Sequence, residues 1–437
     1  MKKFLIVSLI LTTGLWAQEK IFTLEESLET GLKNSKELKI SQSKVISSDA
    51  KITEVGSQML PLLSFTAGYT RLSDVPPFEV SVPVFPTPIK IQDVILDNYT
   101  MKVSLQQPLF TGFKLSSLKS AAENNYNATS LEYDKDINEY AFKIHLAFWN
   151  YYKSKLLKSL LEETLVQTAR HLEDTKNFFN NQLVTKNDLL KLEVQYSNIQ
   201  LQLIDAENNC NVARINFNKV LGVDLSTDSD IETKEINTKV SEYDIDAITN
   251  EAYNNRKEIH SLEYRIKSSE DAVTAANSNW FPSIYLFGDY YYNSPNQRYL
   301  PVKDKFNDSW DIGVTLSWDI WNWGYTSSQS NQAEQNLVQI QTSLSQLKDV
   351  IRIEVYRAYL NYNSSLEKIN VSRKSVEQAE ENSRIMQNKY DFQLATSTDL
   401  IDAETSLLQV KINLNNSLVD YQLAKVILEK AVGRKIY

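Results

Sequence analysis

Cysteine, histidine, glycine and proline are all scarce in this 437-residue sequence, which holds one Cys, three His, ten Gly and ten Pro. The lone Cys210 forms no intrachain disulfide and reads as a small packed residue. His145, His171 and His260 lie far apart, with no HExxH, no GxSxG, no phosphate-cradling glycine loop and no cysteine cluster. The metal, nucleophile and nucleotide chemistries that need those motifs have no support, so neither an enzyme nor a cofactor or metal site is expected. Positive charge is short as well. Lys and Arg number 46 against 55 Asp and Glu, a net charge of −9 that becomes about −11 without Lys2 and Lys3, which argues against a nucleic-acid partner. Mean hydropathy is −0.36, and beyond the N-terminal stretch there is no apolar run long enough for a transmembrane helix. Any contact with a membrane interior must then be made by strands.

What is present begins with MKKFLIVSLILTTGLWA at 1–17, read as a secretory signal cleaved before Gln18. The mature chain is expected to be exported. Its scarce breakers are not scattered. The prolines form two clusters, and two tracts, 113–221 and 325–432, contain neither Gly nor Pro. Such tracts fit long helices, each interrupted by one turn.

Those turns are copies of one another. FNNQLVTKNDLLKLE at Phe179 to Glu193 returns as YDFQLATSTDLIDAE at Tyr390 to Glu404, 211 positions later. The register continues through Ala147, Asn150 and Tyr151 onto Ala358, Asn361 and Tyr362, and further upstream, where the offset becomes 221, Glu37, Leu38 and Pro61 match Glu258, Ile259 and Pro282. The chain therefore reads as a duplication, with a first repeat over 18–222, an acidic connector over 223–243 and a second repeat over 244–437. Each repeat is a helix, a β-hairpin (62–110 and 283–321) and a long helical hairpin with its tip near 179–190 or 390–401. After the first tip, Leu189, Leu192, Tyr196, Ile199, Leu203, Ala206, Cys210, Ala213, Phe217 and Val220 alternate steps of three and four. A sustained seven-residue period imposes coiled-coil packing. Asp188 and Asp399 are expected as N-caps of the helices that follow the tips. The connector, with Asp228, Asp230, Glu232 and Glu235, lacks the glycine and closing glutamate of a calcium loop and reads as a solvated link.

The proline-rich clusters alternate instead. Tyr99, Met101, Val103 and Leu105 interleave with polar residues, as do Trp310, Ile312, Val314, Leu316 and Trp318, so period two marks strands with one apolar face. Their partners are expected at Leu62 to Arg71 and Ser283 to Tyr292. Tyr and Trp near the strand ends suit the aromatic girdles of a membrane barrel. Four strands leave open edges that hydrocarbon does not tolerate, so closure needs more than one chain. Three chains would give twelve strands and room for a lumen.

The paired tips, the Leu109-Phe110-Thr111-Gly112 and Ile320-Trp321-Asn322-Trp323-Gly324 passages from strand to helix, the helix starts at Asn34-Ser35-Lys36-Glu37-Leu38 and Arg256-Lys257-Glu258-Ile259, and the closing Leu221-Gly222 and Val432-Gly433 together resemble the TolC-type outer-membrane efflux proteins. The resemblance covers nearly the whole mature chain. It implies a mixed α and β membrane protein, a homotrimer with a twelve-stranded barrel in the outer membrane of a Gram-negative bacterium and a long periplasmic helical tunnel. As partners it implies a periplasmic adaptor and an inner-membrane pump, with export of small molecules or polypeptides. The chain departs from the family in having Gln182 and Gln393 where Gly is frequent, and Ala395 where some members have arginine. By the same resemblance Asp399 and Asp402 would line the periplasmic constriction, with Tyr390 as a gate residue and Asp188 at the other tip. Leu183, Val184, Thr185, Leu394, Ala395 and Thr396 would contact the adaptor. The rival reading is an exported coiled-coil scaffold or adaptor without a pore, which the duplicated amphipathic strands disfavour.

Overall fold

The structure is a computed structural model and describes residues 20–437 apart from 82, 85, 93, 235, 237, 239 and 240. The signal segment at 1–17 and Glu235 lie outside the described residues. In chain order the elements are β1 (Lys20–Phe22), α1 (Leu24–Asn34), α2 (Lys36–Ser57), β2 (Leu62–Arg71), β3 (Phe78–Val80), β4 (Ile89–Gln92), β5 (Asp97–Phe110), α3 (Lys114–Asn180), α4 (Lys186–Leu221), β6 (Ser229–Ile231), α5 (Ile245–Asn255), α6 (Lys257–Asn277), β7 (Ser283–Asn293), β8 (Asn307–Ser317), α7 (Tyr325–Asp391) and α8 (Ser397–Ala431). The chain divides into two compact units, and each draws segments from both repeats.

The sheet unit comprises 43–131 and 259–346. Its main sheet is antiparallel throughout in the order β2-β5-β7-β8, and β2 and β8 are its open edges. Register carries the alternation across all four strands. Phe65, Val103, Tyr290 and Trp310 stand in one row and Leu63, Leu105, Gly288 and Ile312 in another, while Thr66, Lys102, Tyr291 and Ser309 point to the opposite face. The apolar face is uncovered: Phe65 is 67% exposed and Ile312 67%. For a soluble protein such a surface would be costly, but it matches the outward band of a membrane barrel. Aromatic rings bracket it. Tyr69, Tyr99, Phe306 and Tyr292 follow one another at the end bearing the connections between strands, and Phe110, Phe113 and Phe281 do so at the end leading into helices, with Trp318 Nε1 donating to the Trp280 carbonyl at 3.2 Å. Within the connection after β2, β3 and β4 pair antiparallel. Among the described residues no helix is long and apolar enough to cross a membrane.

The helical unit comprises the chain up to 42, 132–258 and 347–437. Its core gathers Phe22, Ile144, Phe148, Tyr151, Phe217, Leu221, Ile231 and Val419, and Phe22 and Phe217 meet edge to face at 5.9 Å. Cys210 is half-buried at the margin of this core, as a small packed residue would be. The connector corrects the expectation of a solvated link. β6 pairs in parallel with β1, Ser229 and Ile231 are buried, and the Tyr151 and Tyr152 hydroxyls donate to the Ser229 and Lys234 carbonyls at 3.0 and 2.8 Å. Its apolar Ile231 has a core place to fill, and its charges turn outward onto Lys155 and Arg214. The helix ends explain two repeated glycines. Gly222 closes α4 at φ +68, where an added Cβ would sit 2.7 Å from the Asn34 Cβ, and Gly433 stands at φ +83 against Asn255 and Arg256. His145 is buried, with Nε2 2.8 Å from the Ile436 carbonyl, so it holds the C-terminal strap and is not a surface residue.

Candidate functional site at the two helix tips

Each tip is a Schellman turn followed by a capping box. At the first, the Leu183 N–H donates to the Phe178 carbonyl and the Gln182 N–H to the Phe179 carbonyl, both at 2.9 Å. At the second, Leu394 and Gln393 repeat these bonds onto Lys389 and Tyr390 at 2.7 and 2.8 Å. The turn requires a left-handed residue, and Gln182 and Gln393 both adopt φ +61. A side chain there costs about 1–2 kcal/mol against glycine, which the two-bond turn offsets.

The N-caps are Thr185 and Thr396, not the aspartates expected from sequence. Thr has the extended φ and ψ of a cap, and its hydroxyl accepts from the N–H three residues on, leaving Asp188 and Asp399 at the third helical position to reach back. Asp188 Oδ2 accepts from the Thr185 N–H and hydroxyl at 3.1 and 2.6 Å, and Asp399 Oδ2 accepts from Thr396 at 2.9 and 2.7 Å. These threonine bonds hold both carboxyls below the usual carboxylate range, so both stay ionised at neutral pH.

The two tips are joined side by side. The Ser397 hydroxyl donates to Asp188 Oδ1 at 2.7 Å and Lys191 Nζ to the Thr398 hydroxyl at 2.8 Å. Asp188 is thereby half-buried with both oxygens engaged, whereas Asp399 and Asp402 remain exposed. Tyr390 is 3% exposed, its hydroxyl 2.5 Å from that of Thr175 and its ring 6.1 Å from Phe178. Leu183, Gln182, Leu394 and Thr396 are exposed, and Val184 and Ala395 half-buried. Thus the structure brings Asp188 to the second tip and leaves the Asp399 and Asp402 carboxylates facing outward.

Sequence reading missed two features. One is a second apolar stripe on α4, Leu190, Val194, Leu201, Ile204, Val212 and Ile215, which is exposed while Leu192, Ile199 and Ala206 are buried. Val194, Leu201 and Ile215, and likewise Leu190 and Ile204, stand multiples of seven apart on the same helix, and that was the available signal. The other is a polar pair inside the helices. His171 Nε2 of α3 approaches Glu404 Oε1 of α8 at 2.8 Å with side chains 9% and 7% exposed, and Gln167 donates to the same oxygen at 3.0 Å. Burial opposes the charged ring, but Glu404, aided by Asp174 and Asp391, outweighs it and raises the His171 pKa above 6.5. A raised folded pKa means stability fully present below pH 6.5 and lost as pH climbs through the folded value. Thermal unfolding in detergent should therefore show the advantage of the parent over His171→Gln shrinking as pH rises past that point, and a pH-independent difference would refute the charge pair.

With this geometry established, comparison with known proteins identifies the class. The profile of the outer membrane efflux protein family matches residues 28–223 and 248–434, one match on each repeat. The chain belongs to that family, and its function is that of an outer-membrane efflux channel. Among its relatives, the outer membrane protein TolC of Vibrio cholerae is 24% identical over 87% of this chain and 84% of its own length. TolC of Escherichia coli is 22% identical over 88% and 76%. In solved structures, the CmeC outer membrane channel of Campylobacter jejuni aligns at TM-score 0.79 and 16% identity over 94% of this chain and 85% of that one. The outer membrane protein VceC of Vibrio cholerae aligns at TM-score 0.78 and 19% identity over 95% and 97%. At these identities the structures speak to the fold alone.

Proposed function

We propose that three copies of this chain close one twelve-stranded barrel in the outer membrane and continue it inward as a helical tunnel. The tunnel carries small molecules or polypeptides outward from an inner-membrane pump that is coupled through a periplasmic adaptor. The observation that carries this reading is the open four-stranded sheet, apolar on one face and polar on the other with both edges unpaired. Open edges in hydrocarbon leave backbone groups without partners, so the sheet must be completed by further copies. Two copies would make an eight-stranded barrel filled by its own side chains, and three leave a lumen. The exposed α4 stripe is a matching surface for a neighbouring copy along the helices.

In this assembly Asp399 and Asp402 of the three copies ring the inner aperture, where like charges attract cations and resist anions. Tyr390, bonded to Thr175, and Asp188, bonded to Ser397, hold the tips together behind that ring. Leu183, Val184, Thr185, Leu394, Ala395 and Thr396 form the adaptor surface, supported by their repetition at both tips. Val184→Glu together with Ala395→Glu should abolish efflux while trimer and outer-membrane level stay intact. Unchanged efflux would remove the tips from docking, and a soluble periplasmic monomer would end the barrel reading.

A further inference from the structure

The polar face of the sheet carries a built network at mid-strand, tied to the connection between β7 and β8, one that the tunnel reading does not use. In one row across the sheet stand Ser64, Ser104, Asp289 and Asp311, with Asp289 and Asp311 directly opposed on β7 and β8. Opposed carboxylates repel. Asp289 is only 8% exposed; Lys102 Nζ of β5 meets its Oδ2 at 2.8 Å, the Tyr291 hydroxyl donates to the same oxygen at 3.2 Å, and the Ser104 hydroxyl bonds Oδ1. The cation for Asp311 comes from no strand. It is Arg298, carried on the connection between β7 and β8, which bonds Asp311 Oδ2, donates to the Trp310 carbonyl at 2.8 Å and lies 5.9 Å from the Tyr291 ring.

The connection is fixed in that pose. Asn296 is 3% exposed, donating to the Asn307 carbonyl at 3.1 Å and the Ser309 hydroxyl at 3.0 Å while its Oδ1 accepts from the Arg298 N–H at 3.0 Å. The Tyr299 hydroxyl donates to the Asp308 carbonyl at 3.0 Å. Because Asp311 and Tyr291 share the polar face, an arginine touching both folds its connection over that face and not over the apolar one. The first repeat has no counterpart: β2 offers only Ser64, Thr66, Gly68 and Thr70 there.

We propose that Arg298 is a selectivity-determining residue at the outer end of the conduit, where it draws the 294–306 connection over the lumen and cancels the charge of Asp311. This rests on the barrel reading, in which the polar face lines the lumen. Per chain, Lys102 and Arg298 balance Asp289 and Asp311, so this row of the polar face is neutral, in contrast to the acidic aperture at the tips.

Planar-bilayer recording under a salt gradient tests it, in an Asp399→Ala, Asp402→Ala background so that the inner ring does not dominate. Arg298→Ala should raise conductance and shift the reversal potential toward cations. Adding Asp311→Asn should return the reversal potential but not the conductance, and Arg298→Lys should stay near the parent. Unchanged conductance and selectivity in Arg298→Ala would overturn the inference alone. Should that variant fail to assemble, Gln297→Cys in a Cys210→Ser background, treated from the outer side with a bulky thiol reagent, must reduce current, and an unaffected current overturns it. A parent protein with no conductance would overturn this inference and the barrel reading together.

Discussion

Asp399→Ala combined with Asp402→Ala is expected to lower cation selectivity and remove block by trivalent cations in planar-bilayer recordings of the purified channel. The reason is local. Three residues apart at the start of α8, the two side chains occupy neighbouring positions of one helical face, and both are exposed. Asp399 is held ionised by Thr396, but this capping box consumes only Oδ2. The other oxygen stays free to face a cation. At the first tip the same positions hold Asp188, whose two oxygens are both taken, and Lys191, bound to Thr398. In the proposed assembly this charge asymmetry between tips assigns the second to the aperture. If the double variant conducted like the parent, the carboxylate ring would not exist, and Asp399 would be only the back-bonding half of a capping box.

Ile312→Arg is expected to deplete the protein from the outer membrane. Ile312 lies mid-strand in β8 on the uncovered apolar face, in row with Leu63, Leu105 and Gly288. Arginine facing lipid near the bilayer midplane costs about 2–4 kcal/mol per copy, a cost each subunit of an assembly repeats. Thr315→Arg, on the opposite face of the same strand, should be tolerated because it meets water. Comparing the two in outer-membrane fractions checks which face meets lipid. Equal depletion would mean the faces are wrongly assigned.

How far the sequence told this depends on the length of each signal. Strands β5 and β8 span 14 and 11 residues, enough for the alternation at Tyr99 to Leu105 and Trp310 to Leu316 to declare both strand and face. The four long helices announced themselves by the lack of Gly and Pro, and the tips by recurring in register. The three-residue strands β1 and β6 are too short to show any period, and pair across more than two hundred positions. For the same reason β3 and β4 stayed hidden. At the tips, a left-handed turn built on Gln182 and Gln393 gives no glycine signal, and the eye fixes on Asp188 and Asp399 where the threonines three residues earlier do the capping. The His171 and Glu404 pair joins α3 to α8 across the two repeats, a contact that no local pattern encodes. Arg298 was invisible for a related reason: a lone arginine in a loop acquires meaning only when register puts Asp311 and Tyr291 on one face.

The central claim, that the open sheet is one third of a barrel, is tested most directly by the mass of the assembly extracted from outer membranes and measured by native mass spectrometry. Three copies of the chain are the predicted result. A species of one or two copies, from membranes in which the protein supports efflux, would contradict it.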